Sequence, residues 1–375
     1  MDRPSRVIVR DATFDDAEEA SRVLREVGLR LPAAGAESRD HWARLWLRNP
    51  AVIGAKAPLS LGWALEDDCS MVGFFGNVPL RYDWGDEQIL VGNASQWGVQ
   101  PAYRGETDRL CQRYFTQPNV GLLLVTTGIR ATGRIFERYN GTRLPQPNYD
   151  EIHYWIVDAT GFAEAALRKK NVSAGPARWF GRLVAPAVAI GNIARARRLV
   201  SRIAVQIVTP SAIDESFDDL WRRKRAERPR LLACRDGQWL RWHFADRPST
   251  ADTFIITARD TALSGYVVVM RDDAPAIGLK RLKVVDILVA GDNPQTVRAL
   301  MDAVVDLARG QLCHVVEFFG IPPELRAAVA TSGPRQRRMP TWPAFYRALY
   351  PAIAKDLAHE ANWYVTSYDG DTTLV

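Results

Sequence analysis

Short strand-like runs alternate with amphipathic helical runs, and this pattern occurs twice along the 375 residues. It predicts a mixed-sheet α/β fold of two similar units in tandem. Three observations carry the prediction. Residues 6–159 pass through strand and helix patterns in turn, and residues 207–375 repeat the order with little residue identity. Between them, residues 165–213 contain no Asp or Glu. The length also fits, being long for one core and ordinary for two. The expected boundaries are a first domain over 1–160, a basic helical linker over 161–206 and a second domain over 207–375.

Each element has a local reason. VIVRDAT (7–13) alternates as a first strand, and FDDAEEASRVLREVGL (14–29) follows as a helix. Asp15, Asp16, Glu18 and Glu19 fall at the start of that helix, where acid complements the positive end of the dipole. Residues 41–47 read as a short aromatic helix, and residues 63–84 as two strands turning at Asp67 and Asp68. A polar turn over 85–88 leads into strand ILVGNASQWGVQ, turn PAYRGET, helix DRLCQRYFTQ, strand VGLLLVTTG and helix IRATGRIFERYNG. EIHYWIVDA (151–159) is rich in β-forming residues and is expected to close the first unit.

The acid-free stretch carries Arg168, Lys169, Lys170, Arg178, Arg182, Arg195, Arg197, Arg198 and Arg202, interleaved with Trp179, Phe180 and an apolar run. It reads either as a solvated basic linker or as an interfacial segment touching an anionic membrane through 165–205. The second unit opens on DESFDDLWRRKRAERP, a helix acidic at its start and basic at its end. Strands follow over 253–258, 264–272 and 281–290, then an amphipathic helix NPQTVRALMDAVVDLARGQ. Strand CHVVEFFGI, helix PELRAAVATSG and a final aromatic segment WYVTSYDGD complete the chain.

Composition narrows the function classes. A hydrophobic share of 47% with 25% charged residues is that of a water-soluble globular protein. The formal charge of +6, with 42 Arg against 7 Lys, suits an anionic ligand or surface without demanding nucleic acid, which is not expected as a partner. Cys69, Cys111, Cys234 and Cys313 are unpaired in spacing, so buried free thiols in a reducing compartment are expected. The five histidines have no metal-ligand spacing, and no metal site is expected. The start of the chain lacks a secretory pattern and no apolar run reaches membrane-spanning length, so the chain reads as cytoplasmic. Walker, dinucleotide-binding and nucleophile-elbow patterns are missing.

Chemistry concentrates in residues 89–141, where a turn joins a strand to a helix N-terminus. The first amides of a helix are unpaired and carry partial positive charge, which suits a phosphate. This order of elements, with RDAT-x-DD (10–16) at its head, resembles the core of the GNAT acyltransferase superfamily. The resemblance implies that the turn holds the pyrophosphate of acetyl-CoA as cosubstrate. It assigns Trp97, Val99, Arg104, Gly105, Glu106, Thr107, Asp108 and Arg109 to the cofactor. Thr107 and Arg109 stand where the family places glycines. Arg104 and Arg109 could pair a phosphate from the side.

The resemblance also implies a tyrosine that protonates the departing thiolate. Phe136 occupies the matching position, and Tyr139 lies nearly one helical turn further on. The fourth strand offers Asn93 and Ser95 where the family often has a carboxylate base. A base could come instead from Asp83, Asp86, Glu87 or His153. In the second unit Asp286 and Glu317 lie inside apolar strands, either in structural ion pairs or in proton transfer. The candidate catalytic residues are therefore Tyr139, Ser95 and Glu317.

The chain looks like the tandem GNAT proteins of bacterial cell-surface polysaccharide genes. That implies an acyltransferase with a worn catalytic motif, moving an acetyl group to an amine or hydroxyl of a saccharide or other small-molecule acceptor. The alternatives are Fem-type aminoacyl transfer to a peptidoglycan precursor and a non-catalytic binding or regulatory protein of the same fold.

Overall fold

The computed structural model describes residues 7–32, 35–173, 175–176, 203–339 and 344–374. In the first half the strands are β1 (Ile8–Asp11), β2 (Gly62–Asp67), β3 (Ser70–Trp84), β4 (Glu87–Val99), β5 (Leu122–Val125), β6 (Thr142–Arg143) and β7 (Glu151–Ile156). Its helices include α1 (Ala17–Glu26), α2 (Ala36–Trp42), α3 (Pro50–Ile53), α4 (Thr107–Phe115), α5 (Arg130–Arg138) and α6 (Ala159–Lys169). The second half supplies β8 (Ala204–Val208), β9 (Leu231–Ala233), β10 (Thr253–Arg259), β11 (Leu263–Arg271), β12 (Arg281–Val289), β13 (Val315–Phe319), β14 (Arg335–Arg338), β15 (Phe345–Ala348) and β16 (Trp363–Tyr364). With them come α7 (Glu215–Ala226), α8 (Gly237–Phe244), α9 (Pro294–Gly310) and α10 (Arg326–Ala330).

These strands form two mixed sheets, in the orders β1-β2-β3-β4-β5-β15-β6 and β14-β7-β13-β12-β11-β10-β8. The two halves exchange strands. β15, from the second half, pairs with β5 in the first sheet, and β7, from the first half, pairs with β13 in the second. Residues 151–156 therefore close the second sheet, not the first. Alternation and β-propensity specify that this segment is a strand, but not its neighbour. β9 adds to the far end of β3 and pairs in turn with β16, so the first sheet is further extended by the second half.

The hairpin turn at Asp68 and Cys69 takes positive φ at both residues (47° and 63°), as a tight hairpin requires. That turn leaves Cys69 exposed, against the expectation of burial, while Cys111, Cys234 and Cys313 are buried. The basic stretch of 165–205 lies mostly outside the described residues. Among the described residues, no helix is long and apolar enough to cross a membrane.

One face of the first sheet is covered by α4 and α5, with Trp63, Phe75, Tyr114, Phe115, Phe136 and Phe345 in a single aromatic core. The other face, under α1 and the aromatic helix at Trp42 and Trp46, runs continuously into the core of the second half. Between the two sheets passes the C-terminal segment, 363–374, which is almost entirely buried.

That segment is held through Arg235, which is itself fully buried. Its Nε lies 3.1 Å from both carboxylate oxygens of Asp286, while Nη2 reaches Asp369 Oδ2 at 3.0 Å and Thr366 Oγ1 at 3.2 Å. Tyr266 donates to Asp286 at 2.9 Å, and the Tyr368 ring covers the guanidinium at 4.6 Å. Burial pushes the Asp369 carboxyl above the usual range, and Arg235 opposes that shift. Asp286, a possible proton-transfer group on sequence, is thus one arm of a structural ion pair.

Replacing Arg235 with Met leaves Asp286 and Asp369 facing each other without a cation. The expected loss is about 3–5 kcal/mol in urea unfolding. Arg235→Lys should restore only part of it, because an ammonium cannot serve both carboxylates in the same plane. A loss under about 1 kcal/mol for the Met variant would contradict this account.

Candidate functional site

β4 and β5 run parallel only at Val91–Leu122, Gly92–Leu123 and Asn93–Leu124. Beyond Asn93, β4 continues to Val99 without that partner, so the sheet splits. Tyr114 of α4 stands at the fork, its hydroxyl 2.8 Å from Gly92 O and 3.1 Å from Leu124 O. Two residues on, β4 bulges. Its register to β3 shifts between Phe75 and Gly76, and Gln96 sits at φ 44°. A bulge re-aims the strand and increases its twist. Trp97 emerges beyond it, half-buried and stacked on Phe75 at 4.5 Å, and Val99 closes onto the aromatic core.

The strand hands over to a 3-10 turn, Pro101–Glu106, and then to α4 at Thr107. Arg104 and Gly105 are exposed, and a Cβ on Gly105 would meet only open space. Arg109, also exposed, donates through Nη1 to Val7 O at 2.7 Å and pairs with Glu106. Asp108, in the first turn of α4, is held by the Arg138 guanidinium and by the Tyr139 hydroxyl at 2.8 Å. An acid at a helix N-terminus would repel an incoming phosphate, but here its charge is already answered.

Tyr139 lies flat against Phe115 at 4.3 Å, and burial with Asp108 beside it pushes its hydroxyl well above the ordinary value. The structure thus brings Tyr139 to the first turn of α4. Phe136 is fully buried and faces the core.

By strand alternation, Asn93 and Ser95 point to the opposite face, toward the C-terminal segment. There Asp371, which is buried, accepts from Thr127 Oγ1 at 3.1 Å. Burial raises its carboxyl, and the hydrogen bond from Thr127 works against that rise. The neighbouring Gly370 has φ 77°, and a Cβ there would lie 2.0 Å from Thr126 Oγ1. Glycine is required at this close approach. On the same side the Gln96 amide donates to His41 Nε2 at 2.8 Å, and burial lowers the imidazole pKa to about 4. Asp371, His41 and Gln96 escaped the sequence reading. Two acids in an otherwise uncharged C-terminal run were the available signal for Asp371.

The second sheet has the same plan with its opening filled. β12 pairs with β13 from Arg281 to Val284 and then diverges. Tyr364 donates to Ile287 O at 2.7 Å and Thr366 to Asp286 at 2.8 Å, so the C-terminal segment occupies the gap. The start of α9 is capped by Asn293, whose side chain accepts the Gln295 and Thr296 amides. Gly291 N is taken by Glu227 at 2.6 Å. Glu317 lies on β13 between Arg281 (3.0 Å) and Arg337 (2.8 Å). It is on the second sheet, apart from Ser95 and Tyr139 on the first.

No protein-family model and no curated protein matches this sequence. Solved structures do match in fold. A GCN5-related N-acetyltransferase from Anabaena variabilis aligns over 92% of this chain and 73% of its own, with TM-score 0.58 at 11% identity. Eis1 from Mycobacterium abscessus covers 94% and 76%, with TM-score 0.52 at 16% identity. N-myristoyltransferase from Saccharomyces cerevisiae, solved with bound myristoyl-CoA and inhibitors, covers 100% and 88%, with TM-score 0.53 at 12% identity. The chain has the GNAT fold, twice over. The split strand, the bulge and the turn into α4 belong to the first GNAT unit, and the filled gap to the second.

His41 gives a pH prediction. Above pH 6.5 the imidazole is neutral in folded and unfolded chains alike. Below it the unfolded chain takes up a proton that the folded one refuses until about pH 4, so stability falls through that window. Relative to His41→Gln, the natural protein should lose an extra 2–3 kcal/mol, roughly, between pH 6.5 and 4.5 in chemical unfolding. Parallel stability curves for the two proteins would exclude His41 as the source.

Proposed function

We propose that the chain is an acyl-CoA-dependent acyltransferase, acting through its first GNAT unit on an amine or hydroxyl of a small-molecule or saccharide acceptor. The observation that supports this most is the asymmetry of the two openings. The first fork leaves one edge of β4 unpaired beside an exposed turn, whereas the second is filled by the chain's own side chains and carboxylates. Two of the solved structures named above are of an N-acetyltransferase and an N-myristoyltransferase, the latter with myristoyl-CoA bound.

In this reading the amides of residues 104–108 and the Arg104 guanidinium receive the pyrophosphate of acetyl-CoA. The unpaired edge from Trp97 to Val99 orients the pantetheine arm and the acyl carbonyl. The acceptor nucleophile adds to the thioester carbon and loses its proton. The carbon–sulfur bond then breaks, and CoA leaves as the thiol once protonated. Asp371, on the acceptor face against Ser95, is the carboxylate placed to take the proton. Tyr139, whose proton is shared with Asp108, serves the cofactor turn. The reading places the protein in the cytoplasm, with the basic stretch of 165–205 as the segment that contacts an anionic membrane face.

Calorimetric titration with acetyl-CoA should give saturable binding. Arg104→Ala should weaken it by about tenfold, and Arg109→Ala by less, since Arg109 is tied to Val7. Binding absent at high micromolar acetyl-CoA would sink the acyl-CoA reading and favour a non-catalytic GNAT protein or a Fem-type donor. Once an acceptor is found, Asp371→Asn should lower kcat by about a hundredfold with little change in acetyl-CoA affinity. For the membrane contact, co-sedimentation with anionic liposomes decides, and recovery in the supernatant at low salt rejects it.

A further inference from the structure

A second concavity lies away from the fork, at the other end of β4. It encloses about 430 Å³ and is walled by both halves of the chain. β3 and β4 give the floor through Arg81 and Gln88, the loop before β5 gives Asn119, and the loop after α3 gives Lys56. α8 completes it with Gln238 and Trp239. Gln88 lies seven residues before Ser95, so this cleft is roughly 23 Å from the proposed acyl-transfer point. It is therefore a separate compartment.

Its chemistry is selective. Lys56 makes no ion pair among the described residues and is exposed, while Arg81 is braced by Asp236 at 3.0 Å and by Cys234. Two cations against one carboxylate leave the cleft with positive charge to answer. Gln88, Asn119 and Gln238 are exposed amides, each able to donate and accept toward hydroxyl groups. The remaining wall is small and apolar, from residues 50–59 and the edge of Trp239. A volume of this size suits a small ligand and not a polymer.

We infer that this cleft is a second ligand site for a small polyhydroxylated anion, a sugar bearing a carboxylate or a phosphate. The amides read the hydroxyls, Lys56 and Arg81 take the acidic group, and the apolar wall covers the ring face. The bracing of Arg81 by Asp236, the N-cap of α8, fixes the cation in place before the ligand arrives. The site stands independently of the acyl-CoA reading.

Titration of the full chain with glucuronate, glucose 6-phosphate, glucose and inorganic phosphate tests it, by calorimetry and by saturation-transfer NMR. Both acidic sugars should bind with Kd of about 1 mM or tighter, and glucose about fivefold more weakly. Inorganic phosphate alone should also bind more weakly, since it leaves the amides unused. A stronger response to glucuronate than to glucose 6-phosphate identifies the acid as a carboxylate, and the reverse order a phosphate. Lys56→Ala should erase the preference for acid over neutral sugar, while Gln238→Ala should weaken both alike. Arg104→Ala and saturating acetyl-CoA should leave all four titrations unchanged, which separates this site from the cofactor turn. Equal binding of glucose and the acidic sugars, no binding below about 10 mM, or an unchanged Lys56→Ala profile would overturn the proposal.

Discussion

A guanidinium sealed from water must be met by carboxylates and carbonyls on several sides. At Arg235 they come from β9, from β12 and from the C-terminal segment. Only when all three are in place is the charge compensated, so the ion pair acts as a condition on assembly more than as a source of stability. Much of the architecture follows from it. Asp286 is fixed in the gap of the second sheet, Thr366 and Tyr364 are drawn in beside it, and the segment that follows is delivered to the first sheet. The same cluster that closes one opening thus supplies Asp371 to the other.

This division explains how two units of one fold differ in prospect. In the first, the helix N-terminus after the fork remains at the surface, with Asp108 answered by Arg138 and Tyr139 and Glu106 by Arg109. In the second, Asn293 and Glu227 satisfy the amides that a phosphate would need. The second unit lends β9, β15 and β16 to its neighbour's sheet.

Much of the secondary structure could be read along the sequence, because periodicity, capping acids and turn residues are local signals. The turn at Asp68, the Asn293 cap and the strand at 281–289 all follow from a few adjacent residues. The exchange of β7 and β15 was not legible, since a strand's pattern states which face is buried and not which sheet receives it. The candidate site divides in the same way. Trp97 to Arg109 form one continuous stretch and could be placed by order alone. Asp371 meets Thr127, and His41 meets Gln96, only in three dimensions, and the Gln96 bulge leaves no mark in composition. Phe136 and Tyr139 show the limit of spacing: three residues along a helix end moved the hydroxyl away from the core and onto Asp108.

The exchanged strands also bear on how the protein is made. As the chain leaves the ribosome, the first sheet has β1 to β6 but lacks β15, which sits between β5 and β6. That strand ends at Ala348, some two hundred residues after β6, and β16 follows later still. Meanwhile β7, buried or half-buried along its whole length in the finished fold, waits for β13 to be synthesised. Neither sheet can close during most of translation, and the unpaired edges of β5 and β7 stay available to wrong partners over that interval. The first sheet therefore cannot close before Ala348 has been made, and its quality in the cell depends on what shields those edges until then.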